Sequence, residues 1–386
     1  MLAPFPGSSA EIYDCAIIGG GVAGLTLAVQ LARAGRRVVL FEKETYPFHR
    51  VCGEYISMEN YDFLCRLGVP LAEMELPVMT RFTVSSPSGV ALHHPLDIGG
   101  VGLSRYRLDQ LLAQLAARCG ASIRDGTRVT DVVFADEQFT ITTADGATYQ
   151  ARLACGAWGK HANLDGKLHR PYLEASRQDR QFVAVKYHLQ NVDFPADMVQ
   201  MHNFRDGYCG LSPVGDGLTN CSYISDVRNL RAHGNSIAGM ERQVLMQNPL
   251  LRPYLADAQR QGTPPLVISQ ITFRERSTVE GHVLMLGDAA GTIAPLAGNG
   301  MSMGMNASFL LHPLLLDFLE NRISRPELEQ QYTRAWQRLL SLRITAGRLI
   351  HRVFGQPWLT TAGIRVLKRV PFMTDVILSL THGKPY

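Results

Sequence analysis

Residues Tyr13 to Gly24 read YDCAIIGGGVAG, and residues Val38 to Glu42 read VVLFE. A short apolar run ends in Gly19-x-Gly21-x-x-Gly24, and Leu25, Leu27, Ala28 and Leu31 continue at helical spacing. The second apolar run closes on an acid. The pattern predicts a strand, a tight turn, a helix and a parallel strand, which is a βαβ unit of the dinucleotide-binding kind. Gly19 serves the turn, Gly21 lets a pyrophosphate approach the backbone, and Gly24 lets helix and strand pack closely. The pyrophosphate then meets N–H groups at the positive end of the helix dipole. Glu42 lies 18 residues beyond Gly24, where an acid accepts hydrogen bonds from adenosine ribose hydroxyls.

Three further segments narrow the reading. Gly281 to Ser308, GHVLMLGDAAGTIAPLAGNGMSMGMNAS, reads as an apolar strand, a Gly287-Asp288 turn, a proline- and glycine-rich loop, and a helix. Leu103 to Leu112 reads LSRYRLDQLL, and Tyr46 to Ser57 reads YPFHRVCGEYIS. On these residues the chain resembles the FAD-dependent monooxygenases of the p-hydroxybenzoate hydroxylase type, whose relatives include geranylgeranyl reductases and flavin-dependent halogenases. The resemblance implies an α/β fold. It consists of an FAD-binding, Rossmann-like domain of the GR2 type, interleaved with an antiparallel-sheet substrate domain and followed by a C-terminal helical segment. It also implies that Asp288 holds the ribityl chain, that Pro295, Gly298 and Gly300 lie along the isoalloxazine with Asn299 and Met301 as further cofactor contacts, and that Arg105 contacts the phosphates. Further FAD contacts fall to Gly19, Gly21, Val22, Ala23, Gly24, Glu42, Lys43, Arg50 and Val129. The Val-Cys-Gly-Glu stretch is most similar to the reductase branch, where it lies beside the flavin.

Hydride transfer and oxygen activation would both come from the flavin, with the protein positioning it and shaping a dry pocket. His49, Cys52 and Tyr208 are the candidate catalytic residues. His49 titrates near neutrality and suits acid or base work, and Tyr208 suits orienting a phenol or carbonyl. Departures from the family patterns discriminate among the branches. Cys155 to Lys160 reads CGAWGK, so Trp158 stands where hydroxylases carry an aspartate used in positioning a nicotinamide. NADPH or NADH remains the expected electron donor, without tight binding of the usual kind. Tyr208 to Pro213 reads YCGLSP, where reductases carry Tyr-x-Trp-x-Phe-Pro, so Gly210 opens space for a ring-bearing substrate. The Trp-x-Trp-x-Ile-Pro stretch of halogenases does not occur. Hydroxylation of a lipophilic aromatic or polyketide-like metabolite ranks first and reduction of isoprenoid-type double bonds second. A non-catalytic flavoprotein that docks a carrier protein ranks third.

Composition agrees with a globular chain: 46% of its 386 residues are apolar and 19% charged. Seven cysteines without CxxC spacing predict reduced thiols, and no His or Cys spacing predicts a metal site. The first residues lack a basic segment followed by an apolar core, so a cytoplasmic protein is expected. Residues 331–386 carry nine basic side chains and one acid, whereas the remainder carries 29 basic and 33 acidic. Those basic residues interleave with apolar ones at helical spacing, which predicts amphipathic helices that meet a membrane surface or an acidic carrier protein, not nucleic acid. The expected organisation assigns residues 10–80, 103–174 and 279–320 to the FAD domain. It assigns 81–102 and 175–278 to the antiparallel substrate domain, and 321–386 to the basic helical segment.

Overall fold

The computed structural model describes residues 12–386, except 161, 177–178, 257–258, 262–263, 272, 274–275, 292–299, 355, 382 and 384. The predicted βαβ unit is present: strand β1 (Ile12–Ile18), helix α1 (Val22–Arg33) and strand β2 (Val38–Phe41). A short strand β3 (Tyr55–Ser57) and helix α2 (Tyr61–Arg66) precede a long hairpin of β4 (Val78–Ser85) and β5 (Ala91–Gly102). Helix α3 (Arg105–Arg118) returns the chain to the first layer. Its start is set by Ser104, whose hydroxyl accepts a hydrogen bond from the Arg107 N–H and caps the first turn. Strands β6 (Ser122–Arg124), β7 (Val129–Ala135), β8 (Gln138–Thr143) and β9 (Thr148–Gly156) follow, then short helices α4 (Asn163–Lys167) and α5 (Tyr172–Ala175).

The next part of the chain supplies β10 (Phe182–Gln190), β11 (Met198–Phe204), β12 (Gly207–Pro213) and β13 (Thr219–Asp226). Helices α6 (Val227–Ala232), α7 (Ile237–Gln243) and α8 (Arg252–Ala256) follow, the last two separated by a break around residues 248–249. The break follows from Pro249 and from Asn248, whose amide donates to Ser85 Oγ and to the Ser86 and Asn203 carbonyls instead of supporting a helix. Strands β14 (Gln259–Arg260), β15 (Leu266–Ile271), β16 (Val279–Glu280) and β17 (Val283–Met285) lead to α9 (Gly300–Leu319). The chain ends in α10 (Arg325–Phe354), α11 (Pro357–Arg369) and α12 (Pro371–Thr381).

Two sheets organise these elements. In the first the order runs β16-β17-β9-β1-β2-β6, with β1 parallel to both β2 and β9, and the β7–β8 hairpin attached through β9. Strand β2 and the C-terminal halves of β1 and β9 are buried and apolar, as parallel strands covered on both faces are. Chain order reverses between β1 and β9. Ligands of open α/β sheets bind at the carboxyl ends of strands at such a switch point, which is where the Gly19 turn lies. In the second sheet the order runs β14-β10-β13-β12-β11-β4-β5-β3, with β15 also pairing β10. The expectation of a wholly antiparallel sheet is corrected here, since β4 and β11 pair in parallel from Met198↔Arg81 onward. The β4–β5 hairpin belongs to an earlier stretch of chain and joins the later meander edge-on, so hairpin connectivity does not impose an antiparallel contact there. Strand β3, expected within the first layer, also joins this second sheet by pairing with β5.

Side chains of the second sheet alternate with period two. Val183, Val185, Cys209, Leu211 and Cys221 face a core closed by Met240, Leu245 and Leu251. The opposite face carries Ala184, Tyr208, Gly210 and Ile224 and looks toward the first layer across a cavity. All seven cysteines are free thiols.

Close packing of the first turn yields a stability test. A Cβ at Gly24 would run into the Gly19 carbonyl oxygen and approach Ile17 Cγ2 to 3.1 Å. Gly24→Ala is expected to cost about 1–3 kcal/mol through overpacking, read as a lowered midpoint in urea unfolding. An unchanged midpoint would contradict the packing described.

Candidate active site

The four glycines at the end of β1 do two different jobs. Gly19 adopts φ +111°, and a Cβ there would collide with the Ala157 backbone. At Gly20 it would strike the Tyr46 ring, whose hydroxyl donates to the Gly20 carbonyl at 2.7 Å. Gly21 differs: the nearest atom to a Cβ is Arg105 Nη2, at 3.6 Å. Space is therefore withheld from solvent at three glycines and left open at one, at the N-terminus of α1, where no side chain caps the helix. That opening, faced by an arginine and by first-turn amides, fits a pyrophosphate.

A chain of alternating charges surrounds the turn. Glu42 accepts from the Gly20 N–H at 2.9 Å, from Arg50 Nη2 at 2.6 Å and from the Glu44 N–H at 3.1 Å. Arg50 Nε continues to Asp109 at 3.0 Å, and Asp109 takes both Nε and Nη2 of Arg105 at 2.7 Å. A carboxylate offers about four acceptor positions. Three of them on Glu42 are taken by the protein, leaving room for roughly one ribose hydroxyl. Lys43, Val129, Val22 and Ala23 line the same part of the cavity.

The loop from Tyr46 to Glu54 joins the two layers. Glu54 is fully buried and holds φ +55°. Its Oε1 accepts from Lys186 Nζ at 2.7 Å and from the Arg105 N–H at 2.8 Å, and its Oε2 lies 2.6 Å from His188 Nε2. The Gly53 carbonyl accepts from Ser212 Oγ at 2.8 Å and Asn220 Nδ2 at 3.0 Å. Burial pushes the Glu54 carboxyl up, but the hydrogen bond and charge of His188 and the Lys186 ammonium outweigh it and hold the pKa below the ordinary value. Lys186 and His188 did not emerge from the sequence reading. Their signal was available, as two polar residues two apart on one face of the otherwise apolar run FVAVKYHL.

The candidate catalytic residues divide. His49 lines the cavity, with its ring 4.6 Å from Tyr106 and 5.5 Å from His188. Burial, then the charges of Lys186 and His188, lowers its pKa from 6.5, so the imidazole is neutral at physiological pH. Cys52 Sγ accepts from the Glu54 N–H at 3.4 Å and lies within hydrogen-bonding reach of the Arg105 guanidinium. Tyr208 lines the cavity but packs among Phe182, Ala184, Ile224 and Ile271, and burial raises its phenol pKa well above 10, so it stays protonated.

On the far side, Asp288 occupies the turn Gly287–Ala289 after β17 and lies 3.9 Å from Lys160 Nζ. Gly300 and Met301 line the cavity, whereas Pro295, Gly298 and Asn299 lie outside the described residues. The Trp158 indole donates to Asp165 at 3.2 Å. The cavity measures about 1410 Å³ and runs from the Gly19 turn past Cys52 and Arg105 to an apolar wall. That wall comes from Met201, Tyr208, Ile224 and Ile268 of the second sheet and from Leu367, Ile377 and Leu378 of the C-terminal helices. Small-molecule pockets commonly hold about 300–1,000 Å³, so there is space for a dinucleotide and a second molecule. Among the described residues no cluster of His, Cys, Asp or Glu could hold a metal, and no helix is long and apolar enough to cross a membrane.

Comparison with known proteins agrees with this geometry. A family model described as "FAD binding domain" matches residues 13–338. The chain belongs to that family, binds FAD and is an FAD-dependent oxidoreductase. It is 26% identical over 354 residues to conditioned medium factor receptor 1 of Dictyostelium discoideum, covering 84% of this chain and 68% of that protein. Over 324 residues it is 24% identical to the rifampicin monooxygenase of Streptomyces venezuelae, covering 78% of this chain and 63% of that one. Over 372 residues it is 24% identical to the digeranylgeranylglycerophospholipid reductase of Methanosarcina acetivorans, covering 89% and 85%. The structure of the flavin-dependent brominase Bmp2 superposes with a TM-score of 0.79 at 18% identity, covering 96% of this chain and 94% of that one, which shows a shared fold.

Two measurements probe the site. Gly21→Val fills the opening beside Arg105, so FAD affinity should fall at least about a hundredfold, by loss of charge-assisted hydrogen bonds worth roughly 1.5–3 kcal/mol each; titration with FAD, followed by flavin fluorescence, checks this. Glu54, with its lowered pKa, contributes stability that is full above the ordinary carboxylate value of 4.5 and is lost as pH falls through the folded value. Glu54→Gln should therefore flatten the acid limb of the stability curve. Lys186→Met leaves a buried charge without its ammonium and should cost about 3–5 kcal/mol at neutral pH.

Proposed function

We propose that this protein hydroxylates a lipophilic aromatic or polyketide-like small molecule, with the first sheet and its helices serving as the FAD domain and the second sheet as the substrate domain. Reduced FAD supplies either activated oxygen or a hydride when bound; the residues around it bias the outcome. The observation that carries the reading is Gly210. A Cβ there would meet only the Ser222 carbonyl oxygen, at 3.7 Å, so the wall between Tyr208 and Ser212 is left open for a flat ring. His49 supports the same reading. Held neutral beside the cavity, it is poised to accept the proton of a ring hydroxyl, which makes the ring electron-rich and ready for attack by an electrophilic oxygen. Arg105, fixed by Asp109, keeps its remaining N–H groups toward the phosphates of FAD, and Asp288 accepts from its ribityl hydroxyls. NADPH or NADH is the proposed source of electrons, bound weakly because Trp158 stands where an aspartate would help hold the nicotinamide.

A second reading, reduction of an isoprenoid-type double bond, is favoured by Cys52. Its sulfur lies between the Glu54 N–H and Arg105, at the flavin edge of the cavity, where a proton donor would complete addition of hydrogen. The two chemistries separate by the fate of oxygen. Incubation of the NADPH-reduced holoenzyme with alkylated phenols and aromatic polyketides under labelled dioxygen should give products carrying one labelled oxygen atom. Gain of two hydrogens under nitrogen, with no label incorporated under labelled dioxygen, would establish the second reading instead.

His49→Gln should reduce kcat by about 10²–10⁴-fold, the usual contribution of a general base, with the bound-flavin spectrum preserved. In the wild type the rate should rise with pH through a pKa below 6.5 and stay level above it, because the base acts in its neutral form. A pH profile unchanged by His49→Gln would assign the base elsewhere.

A further inference from the structure

The two last helices are exposed in an unusual way. In α11, Thr360, Ile364 and Leu367 point inward: Ile364 packs on Val84 and Leu92 of the β4–β5 hairpin, and Leu367 reaches the cavity. In α12, Thr374, Ile377 and Leu378 also line the cavity. Exposed apolar side chains are Trp358, 68% exposed, and Val366 on α11, Val370 just past its end, and Phe372, 72% exposed, Met373 and Val376 on α12. A group of exposed apolar side chains this large on two successive helices marks an interaction surface. Arg365, Lys368 and Arg369 are exposed on the same stretch. Asp375, the only acid in residues 331–386, sits 3.3 Å from His94 Nε2.

We infer that α11 and α12 form a membrane-docking surface. Their outer side enters the headgroup layer of an anionic bilayer, while their inner side forms a wall of the catalytic cavity. Trp and Phe at the apolar–polar boundary with basic residues alongside is the pattern of an interfacial amphipathic helix. The basic residues attract anionic headgroups, and the rings gain by leaving water. An acidic carrier protein would satisfy the charges but not the six apolar side chains, which is why the bilayer is the occupant argued here. Because the inner wall is apolar, the arrangement assigns the substrate to molecules dissolved in the membrane, whose transfer to the cavity would bypass water. That substrate assignment rests on the cavity being the catalytic one; the docking does not.

Sedimentation of the FAD-loaded full-length protein with vesicles tests the inference. Binding is expected to vesicles of phosphatidylcholine mixed with phosphatidylglycerol, and to weaken as salt rises. Reversal of Arg365, Lys368 and Arg369 to Glu should weaken binding by about a hundredfold, since each basic residue near an anionic surface contributes roughly fivefold. Trp358→Ser with Phe372→Ser should abolish binding while leaving the flavin spectrum intact. Brominated lipids should quench tryptophan emission in the wild type and not in Trp358→Phe. No binding to these vesicles at low salt would overturn the inference. So would a stable dimer in solution that the Trp358→Ser, Phe372→Ser protein fails to form, or capture of an acidic acyl carrier protein in place of vesicles. Vesicle binding with no labelled hydroxylation would leave the docking standing and remove the proposed reaction.

Discussion

Everything about this site depends on one buried carboxylate. Glu54 lies where both layers meet, without solvent, and an isolated charge there would be prohibitively costly. It is accommodated because β10 brings Lys186 and His188 to one oxygen each and because α3 presents the Arg105 N–H. Those bonds fix the loop that carries His49, Arg50 and Cys52 against the second sheet and against the helix that carries Arg105. Catalytic candidates on a loop are thereby held by rigid elements on either side. Burial lowers the His49 pKa, and Lys186 and His188 of this cluster add to the effect while Glu54 opposes it.

The ring of Glu42, Arg50, Asp109 and Arg105 applies the same logic to the cofactor. Each charge is neutralised by its neighbour inside the protein, so the dinucleotide site is assembled from paired groups rather than a free excess of positive charge. Arg105 is oriented by a bidentate carboxylate before any phosphate arrives, which reduces the ordering needed on binding. A cost follows: Glu42 has little acceptor capacity left for ribose. The open space at Gly21 and the occupied acceptors of Glu42 favour a reading in which pyrophosphate contacts carry more of the recognition than the acid does.

The C-terminal helices change how the cavity is understood. A basic amphipathic tail reads in isolation as a solvated cap or an appended docking arm. Here its inner residues Leu367, Ile377 and Leu378 are part of the cavity wall, and its outer apolar residues are left facing outward. Exposed apolar surface and cavity wall are two sides of the same pair of helices.

From the sequence came the βαβ unit, because a glycine turn between an apolar strand and an apolar-periodic helix is a local pattern whose steric demands are met within about thirty residues. Arg105 and Asp288 line the cavity. The hairpin at Pro87 to Gly89 and the strands from β10 to β13 were also legible, since period-two alternation is local. What lay beyond it was everything that needs two distant segments at once. The parallel contact of β4 with β11, the union of Glu54 with Lys186 and His188, and the Glu42–Arg50–Asp109–Arg105 chain join residues far apart in sequence. The tail was visible as charge and periodicity, but which of its sides faces a cavity depends on the hairpin it packs against. Short-range sterics fixed the local elements; the pairing of buried charges and the closure of the cavity were decided only when the layers came together.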